Sequence, residues 1–319
     1  MKKVILSITA LAFFAGSALA ANKAGDKVIY GADDRLDIYQ VTDAKMLKLA
    51  DSTVGLFQGS DVTIAGEIAK LNTKSYASSY GLCKEEPFYD QKTGAFCSGS
   101  LVAPDVIMTA GHCVKSESAC KTTKFVFGFA VTTPGVTPSE VPASDVYSCS
   151  ELIGREQVGS GADWALIRLD RKVTGHEPLK YDATSSVKNG DELVVIGHPA
   201  GLPTKVAGGA TVRNAAPNGY FVANLDTYGG NSGSAVFNAK TGIIVGILVR
   251  GENDYVYQNG CRVSNVCASD GCRGEDVTKL TSVTSPFSKA AMVPQAENTV
   301  TAKASPAFEL LTALAPESN

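Results

Sequence analysis

Short apolar runs, separated by clusters of turn-forming residues, set the rhythm of the central part of the chain. They are KFVFGFAV (124–131), WALIRL (164–169), DELVVIG (191–197), GYFVANL (219–225) and GIIVGILV (242–249). Each is rich in Val, Ile, Phe or Tyr and too short for an ordinary helix. No long helical periodicity lies between them, so the pattern predicts an all-β sandwich or barrel. Lys240-Thr241-Gly242, between two apolar runs, predicts a hairpin connection. No internal repeat is visible. Two regions depart from the pattern. Residues 21–60 are mixed, with LDIYQV and AKMLKLA, and read as a processed leader or an N-terminal arm. Residues 286–319 are small and polar and read as a flexible tail, although FELLTALA (308–315) has the makings of a short helix.

The N-terminus changes the picture of where this chain works. Lys2 and Lys3 precede an apolar stretch from Val4 to about Ala15, and small residues follow, ending in Ala18-Leu19-Ala20. That order predicts a secretory signal peptide over residues 1–20, with cleavage after Ala20 and export to the periplasm or the extracellular space. The run is short for a stable membrane span. Cysteine usage agrees. Eight cysteines, an even number, in an exported chain suggest up to four disulfides, and no C-x-x-C spacing or histidine cluster points to a metal. A net charge of −3 is too small to suggest nucleic acid or an anionic membrane as partner. No motif for an organic cofactor is present.

Candidate chemistry centres on DTYGGNSGSAV (226–236), whose glycines surround Ser232. A serine hydroxyl needs an adjacent base to act as a nucleophile, and a histidine base works best when a buried carboxylate fixes its tautomer. Only three histidines are available. His112 follows an apolar strand in TAGHC, and Asp163 opens the strand in GADWALIRLD. His176 and His198 precede turn-forming prolines and read as surface or turn residues. Asp170, at the far end of the same strand, reads as a solvated turn, and Trp164 as core.

TAGHC, D-x-A-L-I-R-L and G-x-S-G in this chain order resemble the trypsin/chymotrypsin-like serine endopeptidases. GGNSGSAVFN, with Asn before the serine, is similar to their bacterial glutamyl-endopeptidase branch. The resemblance covers roughly residues 61–285. It implies two packed six-stranded antiparallel β-barrels with the active site in the cleft between them, and an exported endopeptidase acting on proteins or peptides. It also implies Ser232 as nucleophile, His112 as general base and then acid, Asp163 as its orienting carboxylate, and the N–H groups of Gly230 and Ser232 as the oxyanion hole. Cys97 would pair with Cys113 as a histidine-loop disulfide and Cys120 with Cys149. Cys83 would take one of Cys261, Cys267 and Cys272, leaving the other two for each other. A protease-fold binding or adhesion protein, and an esterase using the same triad, are the competing functions.

The sequence departs from the family at informative places. Asn231 stands where many relatives carry an aspartate that pairs with a newly freed N-terminal amine, so activation by that ion pair is not expected. VIYGADDRLDI (28–38) resembles the mature N-terminus of some glutamyl endopeptidases, making cleavage after Lys27 a second candidate. Leu248 stands where those enzymes place a histidine, and Leu248 cannot donate a hydrogen bond to an acidic substrate. Asp226, six residues before Ser232, has the spacing of a pocket aspartate and would favour Lys or Arg before the scissile bond. Its alternatives are to cap the turn or to pair with Arg250.

Overall fold

A computed structural model describes residues 28–184 and 186–283. The expected signal peptide, the candidate cleavage sites after Ala20 and Lys27, and the tail at 286–319 lie outside the described residues. Twelve strands build two barrels. The first uses β1 (Thr53–Gln58), β2 (Cys97–Ala103), β3 (Val106–Thr109), β4 (Thr123–Val126), β5 (Val146–Gln157) and β6 (Asp163–Leu169). The second uses β7 (Glu192–Gly197), β8 (Lys205–Asn214), β9 (Tyr220–Ala223), β10 (Ala235–Asn238), β11 (Ile244–Arg250) and β12 (Glu275–Lys279).

Pairing runs β1-β2-β3-β6-β5-β4 and back to β1 in the first barrel, all antiparallel. In the second it runs β7-β8-β9-β12-β11-β10 and back to β7. The two rings therefore have the same strand order. This is an internal structural repeat that no sequence periodicity announced, because core positions require only apolar residues of suitable size, not particular ones.

The apolar runs are continuous where both faces of a strand are covered. On β7, Leu193 and Val195 point into the second barrel's own core, whereas Val194 and Ile196 join the large cluster that also holds Val106, Ile107 and Leu166 of the first barrel. On β11, Val245 and Leu248 point inward while Ile244, Ile247 and Val249 face that shared cluster. A strand with period two and two buried faces reads as an unbroken apolar run. The site therefore rests on two barrels locked together through an apolar interface.

Residues 28–58 correct the expected arm. Thr53–Gln58 is a strand of the first barrel, and its five leading residues are buried. Arg35–Asp37 pairs with Lys205–Ala207 of β8, and Ile29–Tyr30 runs parallel to Val266–Cys267. AKMLKLA forms most of a helix, Ala44–Asp51, capped by the Asp43 carboxylate, which accepts from the N–H groups of Lys45 and Met46. This segment reads as mixed because it threads between both barrels and pairs only in short pieces. Among the described residues no helix is long and apolar enough to cross a membrane.

Four disulfides staple the frame: Cys83–Cys261, Cys97–Cys113, Cys120–Cys149 and Cys267–Cys272. Cys83 thus takes Cys261, and the remaining two cysteines pair with each other.

Candidate active site

β3 ends at Thr109, and the chain turns through Ala110 and Gly111 to present His112. Gly111 is required there, because a Cβ would stand 2.2 Å from the Glu156 carbonyl oxygen and 2.8 Å from that of Trp164. The Arg155 guanidinium donates to the Gly111 carbonyl oxygen at 3.2 Å from Nε and 3.0 Å from Nη2. Cys113 anchors the far side of His112 through its disulfide to Cys97 on β2.

Asp163 is the first residue of β6, and its side chain is 3% exposed. It holds His112 twice: Oδ1 accepts the His112 backbone N–H at 3.0 Å, and Oδ2 lies 2.7 Å from Nδ1. Two bonds to one residue fix the carboxylate's roll as well as its distance. The Asp163 backbone is tied across the barrel interface, donating to Thr278 Oγ1 on β12 and accepting from that hydroxyl, both at 3.1 Å. Asp170 is remote from this arrangement and bonds to Ser148 and Arg171.

The loop before β10 carries Ser232, which is buried. Its carbonyl oxygen accepts from the Ser98 N–H at 2.8 Å and lies 3.5 Å from Cys113 Sγ, so the serine's backbone sits beside the residue that follows His112. Gly233 N–H donates to the Leu248 carbonyl oxygen at 2.8 Å, and Ser234 N–H to that of Asn231 at 2.9 Å. Gly230 and Gly233 have φ of +94° and +90°. A Cβ on Gly233 would stand 2.1 Å from the Ser98 oxygen, so both conformation and space select glycine. Asn231 is turned inward: it is 2% exposed, and its Oδ1 accepts from Ser234 Oγ at 3.2 Å.

The expected specificity residues separate from one another. Asp226 is buried, and both carboxylate oxygens are taken, by the N–H of Tyr30 at 2.7 Å and that of Asp34 at 2.9 Å. Burial pushes its pKa up to about 6 despite these donors. This is the capping role extended to a distant segment, not an open pocket carboxylate. Arg250 does not pair with Asp226. Its Nε binds Asp276 Oδ2 at 3.0 Å, and its Nη2 the Gly161 carbonyl oxygen at 2.8 Å. Leu248 is fully buried in the second barrel's core and lines no open pocket.

Glu275 escaped the sequence reading, and His198 reads there as a surface or turn residue. Glu275 is fully buried: its Oε2 accepts from Thr227 Oγ1 at 3.1 Å, and it lies where a Cβ on Gly251 would come within 1.9 Å of it. His198 is also fully buried, with Nδ1 2.9 Å from the Leu202 carbonyl oxygen, and burial depresses its pKa to about 4. It is therefore a neutral interior residue, not a surface one, and its loop packs against Gly230. Neither has a local sequence motif; only the GHPAGLP turn hinted at the second. His112 also lies near the sulfurs of Cys97 and Cys113, but both are oxidised to a disulfide and offer no thiolate to a metal.

Residues 97–247 match the family model of the trypsin-like peptidase domain. Over 154 residues the chain is 28% identical to a glutamyl endopeptidase of Bacillus licheniformis, covering 46% of each protein. Over 160 residues it is 30% identical to exfoliative toxin A of Staphylococcus aureus, covering 47% of this chain and 54% of the toxin. The chain thus spans about half the length of these curated relatives. A solved structure of a Glu endopeptidase in complex with MPD covers 80% of this chain and 95% of its own, at 19% identity and a TM-score of 0.44.

Proposed function

We propose that this chain, whose residues 97–247 match the trypsin-like peptidase family model, is an exported serine endopeptidase. The observation that carries this reading is the doubly bonded His112–Asp163 pair beside the Ser232 loop. With Nδ1–H donated to Asp163, the imidazole leaves Nε2 as the basic nitrogen. Nε2 takes the proton of Ser232 Oγ as that oxygen attacks the scissile carbonyl, and returns it to the leaving amine. The developing oxyanion is received by the N–H groups of Gly230 and Ser232. The acyl-enzyme is then hydrolysed by water activated at the same nitrogen. Asp163 stabilises the imidazolium as it forms.

Four disulfides suit an oxidising compartment and support export. Asn231 Oδ1 accepts from a hydroxyl and carries no charge, so activity does not wait on an ion pair between that residue and a freed amine.

For substrate choice, the burial of Asp226 and the backbone donors on both its oxygens weigh against a Lys or Arg preference. The likeness to a glutamyl endopeptidase favours an acidic residue before the scissile bond. A peptide library digested by the processed protein, with Ser232→Ala as control, tests both levels. Serine-dependent cleavage after Glu supports the whole reading. Cleavage after Lys or Arg would return selectivity to Asp226, and cleavage of esters alone would favour the esterase. No serine-dependent hydrolysis of any kind would favour a binding protein.

A further inference from the structure

The loop from His198 to Leu202 contains strained backbone next to the reactive serine. Ala200 has φ 52° and ψ 20°, the left-handed region that disfavours a residue with a Cβ. Its carbonyl oxygen is gripped by two hydroxyls from the first barrel's side: Thr93 Oγ1, and Tyr80 OH at 3.2 Å. The next carbonyl, that of Gly201, accepts from the N–H groups of Gly94 at 2.9 Å and Ala95 at 3.3 Å. A Cβ on Gly201 would stand 2.2 Å from the Ala95 oxygen, so the approach is as close as backbone allows.

What this grip holds is the Ala200 N–H, which donates to the Gly229 carbonyl oxygen. The Gly229–Gly230 peptide is trans and planar, so fixing its oxygen toward Ala200 turns the Gly230 N–H to the opposite side. The far end of Gly230 is fixed from the same loop. Ser98 Oγ donates to the Gly230 carbonyl oxygen at 2.8 Å and accepts from the His198 N–H at 2.9 Å. A Cβ on Gly230 would stand 2.6 Å from the His198 oxygen and 2.7 Å from the Gly201 nitrogen, so the two backbones are in contact. Thr93, Tyr80 and Ala200 line the same cleft of about 420 Å³ as Gly229 and Gly230.

We propose that Thr93 and Tyr80 are positioning residues for catalysis: by clamping the left-handed Ala200, they preset the Gly229–Gly230 peptide so that its N–H is aimed before substrate arrives. The proposal rests on the serine-endopeptidase reading. A donor prearranged for the oxyanion acts on the transition state and leaves substrate binding unchanged. Loss of a whole oxyanion donor costs about 10²–10³ in kcat. Loosening one of two clamps should therefore cost roughly 10-fold and loosening both roughly 100-fold.

The test compares Thr93→Val, Tyr80→Phe and the double variant with Thr93→Ser, which keeps the hydroxyl. Readouts are kcat and KM on a cleaved peptide and the affinity of a peptidyl boronate, whose tetrahedral adduct occupies the oxyanion site. The expected result is a fall in kcat with KM within about twofold, a parallel loss of boronate affinity, and near wild-type values for Thr93→Ser. Unchanged kcat in both single variants, or a fall in kcat with boronate affinity intact, would overturn the proposal. The single variants each change few atoms and carry the test even if the double variant fails to fold. A wild-type protein that neither cleaves peptides nor binds the boronate would instead refute the endopeptidase reading on which this rests.

Discussion

Replacing Asp163 by Asn should disable the site while leaving its shape almost untouched, and the hydrogen bonds dictate why. In the native site Oδ1 accepts the backbone N–H of His112, and Oδ2 faces Nδ1. A backbone N–H is only ever a donor, so the Asn side chain must keep its oxygen at the Oδ1 position. Its NH₂ group is then forced to face Nδ1. Two donors cannot face each other, so Nδ1 becomes an acceptor and the ring proton moves to Nε2. That nitrogen can no longer accept the Ser232 proton. The loss expected for this tautomer switch is about 10⁴-fold in kcat, or about 5 kcal/mol in the barrier. The assay is kcat on a cleaved peptide, with ¹⁵N NMR of the His112 ring to report which nitrogen carries the proton. Activity within 10-fold of wild type, or an Nδ1-protonated ring in the variant, would refute the reasoning.

Two stability predictions follow from buried groups and cross-links. Asp226, held near pKa 6 against an ordinary 3.8, keeps a native-state proton that the unfolded chain releases, so its contribution falls as pH rises from about 4 to 6. His198, depressed to about 4 from 6.5, does the reverse, because the unfolded chain binds the extra proton and stability rises with pH across that window. Asp226→Asn removes the opposing slope, so urea titrations at pH 4, 5 and 6 should show stability rising more steeply, by up to about 1.4 kcal/mol per pH unit; an unchanged slope would contradict this. Cys83–Cys261 joins residues 178 apart and Cys267–Cys272 residues 5 apart. Chain entropy assigns them about 5 and about 2 kcal/mol, so the double-Ala variant of the first pair should lose more in denaturant midpoint than that of the second. The reverse order would show that native-state packing, not unfolded-chain constraint, dominates.

The candidate site was legible in the sequence because its chemistry is written in short local patterns. TAGHC, GADWALIRLD and GGNSGSAV each carry a candidate residue together with the neighbours that shape its backbone, and Gly111 and Gly233 show how sterically specific those neighbours are. The β class was legible from runs of apolar residues, since a strand buried on both faces needs nothing else. What stayed hidden depends on partners far away in the chain. The donors to Asp226 come from residues 30 and 34, 196 and 192 positions distant, so spacing from Ser232 pointed to an open pocket role and not to a buried carboxylate that ties down a distant segment. Thr53–Gln58 looked like part of a leader because a single six-residue strand has no pattern beyond its own length. Ala200 is an ordinary residue in an unusual conformation, imposed by Thr93, Tyr80 and Gly229 and invisible without them.

The central claim is that Ser232 is a nucleophile activated by His112, and covalent labelling tests it most directly. The processed protein, incubated with an organophosphonate serine-hydrolase probe, is predicted to gain the mass of one adduct, mapped by peptide sequencing to Ser232. The gain should vanish in Ser232→Ala and slow by orders of magnitude in His112→Ala. An unlabelled wild-type protein, or an adduct on any residue other than Ser232, would contradict the account.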